Sequence, residues 1–202
     1  YPDIDSVLQG ARDIIDEMIS EDAGIRDSLR RMYLREGVVA VKGVKGKEEE
    51  GANYRDYFDH SEALARCKSH RLMAMLRGEK EGFLKVKVTV DGESAVAILK
   101  KKYVRGNGVV SAQVGLALED SYKRLLHPSM ENEALGFFQE QAGNEAIRVF
   151  SSNLRQLLML PPLGPARVLA IDPGYRTGCK VVCLDEFGKL LHNQTIYPHP
   201  PQ

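Results

Sequence analysis

The sequence predicts a mainly α chain: a multi-helical domain followed by a partial three-stranded β-meander. Three observations carry this. Apolar residues recur at helical spacing through most of the first 160 positions. Pro161-Pro162-Leu163-Gly164-Pro165 then punctuates the chain. Past that break, short apolar runs of strand length replace the helical period, and charge falls from 49 residues before position 166 to seven after it, as expected at a domain boundary. The expected organisation is a helical domain over 1–160, a linker over 161–166 and strands over 167–202.

In the first part, Val7, Leu8, Ala11, Ile14, Ile15, Met18 and Ile19 mark one helix, and Ser20-Glu21-Asp22 supplies a cap and acids for a second running to about Glu36. The two are expected to form a hairpin, with Ile25, Leu29, Met32 and Tyr33 inward and Arg26, Arg30, Arg31 and Arg35 outward, free to touch phosphate or simply solvated. Val38–Val41 has extended character. The loop Lys42–Gly51 has no apolar period and mixes lysines with Glu48, Glu49 and Glu50. Tyr54, Tyr57 and Phe58 interleave with Arg55, a pattern that suits stacking on bases or, at this spacing, core packing.

Ser61 and Ser69 each read as a helix cap, with Leu64, Leu72, Met73, Met75 and Leu76 as buried residues. Phe83–Val90 alternates as a half-exposed strand does, and Asp91-Gly92 turns into a helix carrying Ala95, Val96, Ile98 and Leu99. Val109–Leu126 reads as a helix stopped at His127-Pro128. Ser129 then caps a long one, whose stripe of Leu135, Phe138, Ala142, Ala146, Val149 or Phe150, Leu154 and Leu157 predicts a spine with Phe137, Phe138 and Phe150 in the core.

Equal numbers of basic and acidic residues, 28 each, exclude a global field for nucleic acid, so any such site is a local patch. The most basic window is 83–105, where Lys85, Lys87, Lys100, Lys101, Lys102 and Arg105 outnumber Asp91 and Glu93. Contact with a nucleic-acid backbone predicts lysines there, and so does the dipole at a helix end. Three cysteines without framework spacing and no signal-peptide pattern point to a reducing, cytoplasmic setting. Cys179 and Cys183 on one strand stand roughly 13 Å apart, too far to share a zinc ion. No apolar run reaches the ~20 residues of a membrane helix, and no small-molecule substrate is evident.

After the break, strands at about 167–171, 178–184 and 189–197 are joined by Asp172-Pro173-Gly174 and by Asp185-Glu186-Phe187-Gly188. The first turn lifts the Asp172 carboxylate out of a strand end. That is a position for a hard cation, and equally for an aspartate that opens a turn by accepting backbone N–H groups. Asp185 falls at the other end of the middle strand, roughly 20 Å away. His199 could return toward Asp172, although magnesium prefers oxygen ligands. The middle strand is apolar on both faces, which calls for cover on both, and a bare three-stranded sheet suggests a piece of a longer protein.

Several motifs in order, Lys45-Gly-Lys-Glu-Glu-Glu-Gly-Ala-Asn-Tyr-Arg-Asp-Tyr57, Arg77-Gly-Glu-Lys-Glu-Gly82, Pro161-Pro-Leu-Gly164, Ile171-Asp-Pro-Gly-Tyr-Arg-Thr-Gly-Cys-Lys180 and Ile196-Tyr-Pro-His-Pro-Pro-Gln202, resemble the bacterial transcription accessory protein Tex family over nearly the whole chain. The resemblance implies central helices followed by the first strands of a YqgF domain, with a ribonuclease H-like α/β fold. It also implies nucleic-acid binding and a role in transcription, with no demonstrated enzyme. In related nucleases the acid ending the first strand binds magnesium, which maps onto Asp172; further acids, and the family's RNA-binding barrel domain, would lie past residue 202.

The expected function is therefore a scaffold in a nucleic-acid-binding transcription factor, non-catalytic and without a cofactor on its own. RNA or DNA would be touched by Lys45, Lys47, Arg55, Lys85, Lys87, Lys100, Lys101, Lys102, Arg105 and Arg176. Two alternatives stand beside it: a magnesium-dependent nuclease or resolvase centred on Asp172 in the full-length protein, and an interaction scaffold whose long helix or 45–51 loop docks on the transcription or translation machinery.

Overall fold

The computed structural model describes residues 3–174 and 176–198; His199 lies outside them. The chain divides into two compact units, Tyr1–Ser151 and Ser152–Gln202. Mainly α as expected, it has six α-helices and two three-stranded antiparallel sheets among the described residues.

In the first unit, α1 (Ile4–Ser20) and α2 (Ala23–Glu36) each start on an aspartate. Asp22 caps α2 by accepting from the N–H groups of Gly24 (2.8 Å) and Ile25 (3.0 Å). Ile25, Leu29, Met32 and Tyr33 are buried as the spacing predicts. The expected α1–α2 hairpin is only a minor contact. Helix α1 lies chiefly along α5 (Val109–Ser121) and buries only Asp16 and Ile19, while Ile4, Val7, Ile14 and Met18 stay exposed.

A sheet of order β2-β1-β3 forms from β1 (Val38–Gly43), β2 (Asp59–Ala63) and β3 (Leu84–Thr89). Here Ser61 corrects the sequence reading: it opposes Ala40 inside β2 and caps no helix, and Leu64 begins a single 3-10 turn. The five β2 residues contain no apolar alternation, so their strand form comes from pairing with β1. Helix α3 (Ser69–Lys80) has Lys68 before it, and the Ser69 hydroxyl donates to Glu145 instead of capping. The inward face of the sheet, Val39, Val41, Leu84, Val86 and Val88, packs into the core with Leu29, Tyr33, Leu72, Met75 and, from α4 (Gly92–Tyr103), Leu99.

The outer edge of β3 is closed by side chains. The Val86 N–H donates to Glu79 Oε1 (2.8 Å) and the Val88 N–H to Glu131 Oε1 (2.7 Å). Two carboxylates thus stand where another strand would pair.

Helix α5 does not stop at Pro128. A π turn, Tyr122–Leu126, carries the chain into α6 (His127–Leu158), with the His127 N–H bonded to the Tyr122 carbonyl five residues back. Proline lacks an N–H, and its ring crowds the carbonyl four residues earlier in a regular helix; the wider turn absorbs both defects. Ser129 accepts from Arg26 Nη2 (2.7 Å) and caps nothing. The predicted spine holds for only part of α6: Met130, Ala134 and Ala142 are buried and Phe138 is half-buried, whereas Phe137, Val149, Phe150, Leu154 and Leu157 are exposed.

Two polar clusters sit in this core. Tyr33 Oη lies 3.1 Å from Tyr122 Oη and 2.5 Å from His127 Nδ1. Asp16 is fully buried between α1 and α5; its Oδ2 accepts from Arg124 Nη2 (3.1 Å), its Oδ1 has no partner among the described residues, and Ser121 Oγ donates to its carbonyl (3.0 Å). Burial pushes the Asp16 carboxyl up to about 6, an effect to which the adjacent Asp120 adds and which the Arg124 guanidinium opposes. Asp120, also held by Arg124 (3.1 Å), is correspondingly lowered.

In the second unit, β4 (Val168–Asp172), β5 (Cys179–Leu184) and β6 (Leu190–Ile196) form the expected meander. Gly188 (φ 80°) closes the second hairpin, where Asp185 Oδ1 accepts from the N–H groups of Phe187 (2.9 Å) and Lys189 (2.8 Å). Among the described residues of this unit, nothing supplies the cover that two apolar faces call for: Leu169, Ile171, Leu190, Leu191 and Ile196 are exposed.

Candidate nucleic-acid interface

The solvent face of the β2-β1-β3 sheet follows from its register. Residues directly opposite share a face, which gives three rows: Asp59–Lys42–Lys85, Ser61–Ala40–Lys87 and Ala63–Val38–Thr89. Strand alternation sends Val39, Val41, Val86 and Val88 inward and leaves the three lysines exposed on a floor of small side chains. Lys85 and Lys87 belong to the predicted set. Lys42 does not, because only the pairing of β1 with β3 sets it opposite Lys85.

Lys45 and Lys47 come to the same end of this sheet. Their loop is ordered: the Val44 N–H donates to the Phe83 carbonyl (2.9 Å), the Gly51 N–H to the Lys47 carbonyl (2.9 Å), and Lys47 Nζ lies 5.9 Å from the centre of the Phe83 ring. Gly51 permits this approach, since a Cβ there would fall 3.2 Å from Phe83 Cβ. Arg55 is exposed on the following 3-10 turn (Ala52–Tyr57), whose Tyr54 and Tyr57 pack against the core. Lys42, Lys45, Lys47, Lys85 and Lys87 take no part in the ion pairs found among the described residues.

The rest of the 83–105 window is separate from this face. Lys100 bonds Glu119 (2.8 Å) on α5, and Lys102 bonds Asp22, which Tyr103 also approaches. These partners, Lys102 first, hold the Asp22 carboxyl well below the usual carboxylate range. Lys101 and Arg105 are exposed beside them. The α2 arginines are committed as well: Arg30 to Glu133 and Asp27, Arg31 to Asp27, Arg35 to Glu36.

Asp172 ends β4 opposite Lys180 and is exposed, as is Arg176 in the turn. Gly174 and Gly178 make that turn possible: a Cβ would meet Thr177 Oγ1 at 2.5 Å in the first case and Tyr197 Cε1 at 2.7 Å in the second. Among the described residues, no group of three or more His, Cys, Asp or Glu side chains is placed to hold a metal ion.

A further cluster went unread in the sequence. Glu62 accepts from Arg71 Nη2 (2.7 Å) and bonds His60 Nε2 (2.9 Å), beside Cys67. Burial, then the hydrogen bond to Glu62, pushes the Cys67 thiol up to about 12, which disfavours the thiolate. Its members come from β2 and α3 across a turn, so only the fold brings them together.

Two family descriptions match the chain: Tex central region-like over residues 1–150, and Tex protein YqgF-like domain over 166–202. Protein YhgF of Escherichia coli is 38% identical over 99% of this chain and 27% of its own length. Transcriptional accessory protein Tex of Neisseria gonorrhoeae is 34% identical over 98% and 27%, and human S1 RNA-binding domain-containing protein 1 is 26% identical over 94% and 20%. The chain thus spans just over a quarter of the bacterial relatives. No helix among the described residues is long and apolar enough to cross a membrane. With its helical unit and the strands that follow both matched, the chain belongs to the Tex family of transcription accessory proteins.

Proposed function

We propose that this chain is a scaffold in a cytoplasmic, nucleic-acid-binding transcription accessory factor, and that the lysine-bearing end of its first sheet contacts phosphates of RNA or DNA. One observation carries the reading: Lys42, Lys85 and Lys87 share an open face, with Lys45 and Lys47 at the same end, and among the described residues none of the five is in an ion pair, although Asp59 stands opposite Lys42. Exposed lysines without internal partners are the groups that release counterions on binding a polyanion. The names of the relatives, transcriptional accessory in one case and S1 RNA-binding in another, support the same direction. In this reading the meander from Val168 begins a ribonuclease H-like sheet, and the chain binds without cleaving.

Fluorescence anisotropy with labelled RNA and DNA at low salt tests it. Weak binding that falls steeply with added salt is expected; no change in anisotropy at the lowest salt sinks the reading. The exposed Asp172 at its strand end keeps a nuclease reading in view for the full-length protein. Equal magnesium-dependent cleavage by full-length wild type and Asp172→Asn would end it.

A further inference from the structure

We infer that helix α1 is a docking surface for an amphipathic helix of a partner protein, one whose apolar seam is flanked by lysine or arginine. Ile4, Val7, Ala11, Ile14 and Met18 recur at alternating steps of three and four, which at about 100° per residue gathers them into one strip about 80° wide. Among the described residues nothing covers this strip: Ile4, Val7, Ile14 and Met18 are 51% to 79% exposed, and Ala11 is exposed with them. The helix has 17 residues and is about 25 Å long. Single apolar side chains are ordinary on a surface. A seam kept in register over about four turns is the pattern with which a second helix interlocks.

The two borders of the seam differ. On one side Ile15 and Ile19 turn into the core, and α1 is fixed along α5, so the seam is presented by a rigid element. On the other side stand Asp3 at the helix entry, Glu17 and Glu21, all exposed. With Asp5 and Asp13 elsewhere on the helix, five exposed carboxylates are present, and among the described residues none of the five is in an ion pair. Arg12 is the only basic residue of the helix and is engaged by Gln9 and Gln113.

That charge selects the occupant. A second copy of the chain would bring an equally acidic helix to the seam, and nucleic acid or an anionic membrane would bring phosphates to it; each sets like charges together. A helix with basic residues beside its own apolar positions meets the carboxylates with opposite charge, as flanking pairs do in coiled coils. Ala11, short and at mid-seam, leaves room there for a large side chain of the partner.

The test uses the 202-residue chain and a labelled three-heptad helical peptide with leucine at its a and d positions and lysine at e and g, followed by fluorescence anisotropy. A companion peptide carries glutamate in place of the lysines. The lysine peptide should bind, and the glutamate peptide should bind roughly 10-fold more weakly or less. Ile14→Gln, at an exposed position and checked for an unchanged melting temperature, should weaken the lysine peptide by roughly 10-fold or more. Glu17→Lys combined with Glu21→Lys should reverse the order of the two peptides. No binding, equal binding of both peptides, or binding indifferent to Ile14→Gln overturns the inference. A dimer of the chain in sedimentation that Ile14→Gln abolishes also overturns it, by giving the seam to a second copy.

Discussion

Replacing Asp16 with asparagine should stabilise the helical unit at alkaline pH and leave it unchanged in acid. The carboxyl is fully buried and holds its proton up to about 6 instead of the ordinary 3.8. The folded state therefore keeps a proton that the unfolded chain has already released. This contribution to stability is complete below pH 3.8 and lost as pH climbs through 6, so ionising Asp16 costs the fold about 3 kcal/mol at neutral pH and above. Facing groups set the balance: Asp120 adds to the effect, Arg124 opposes it, and Arg12 on the same helix is engaged by Gln9 and Gln113. The Arg124 attraction is already contained in the value of about 6, so asparagine, neutral at every pH, avoids the whole of that cost. A gain of about 3 kcal/mol is expected at pH 8, with no difference beyond about 0.5 kcal/mol near pH 4. Urea unfolding followed by far-UV circular dichroism at both pH values reads it, since most of the helix lies in this unit. A variant less stable than wild type at pH 8, or a difference independent of pH, would refute the reasoning.

Substitutions at four positions probe the packing of the helical unit. Glu131→Ala strands the N–H of fully buried Val88 and should cost about 1–3 kcal/mol, whereas Glu131→Gln keeps an acceptor and should recover most of it; equal loss in both would show that the bond contributes nothing. Gly78→Ala drives a Cβ to within 2.6 Å of Leu84 Cδ1, and buried Leu84 has little room to yield, so about 1–3 kcal/mol should be lost in thermal melting. Phe138→Ala should cost several times more than Phe150→Ala, the latter staying within about 0.5 kcal/mol, because only Phe138 packs on the core.

Those contrasts mark where the sequence could be read and where it could not. Alternation placed Lys85 and Lys87 on one strand face, and aspartates at 22, 91 and 172 located two helix starts and a turn, since each signal is local. Strand β2 carries no local signal and exists through its partner. The lysines at 100 and 102 looked like part of a patch because their carboxylates, Glu119 and Asp22, are 19 and 80 residues away in sequence. Lys42 was hidden for the converse reason, being adjacent to Lys85 only across the sheet. In α6 the apolar period announced a stripe, but periodicity does not say how far along a helix a neighbour extends.

The π turn at Tyr122–Leu126 has a consequence for the angular phase of everything after it. Such a turn holds one residue more than the regular coil, and one residue is worth about 100° of rotation. Rewinding it as regular helix with every residue kept would swing Met130, Ala134 and Ala142 by about 100° out of the interior, together with the Glu131 carboxylate that plugs the sheet margin, whereas deleting one residue there would keep their bearing. A five-residue irregularity thus fixes the bearing of a 32-residue rod.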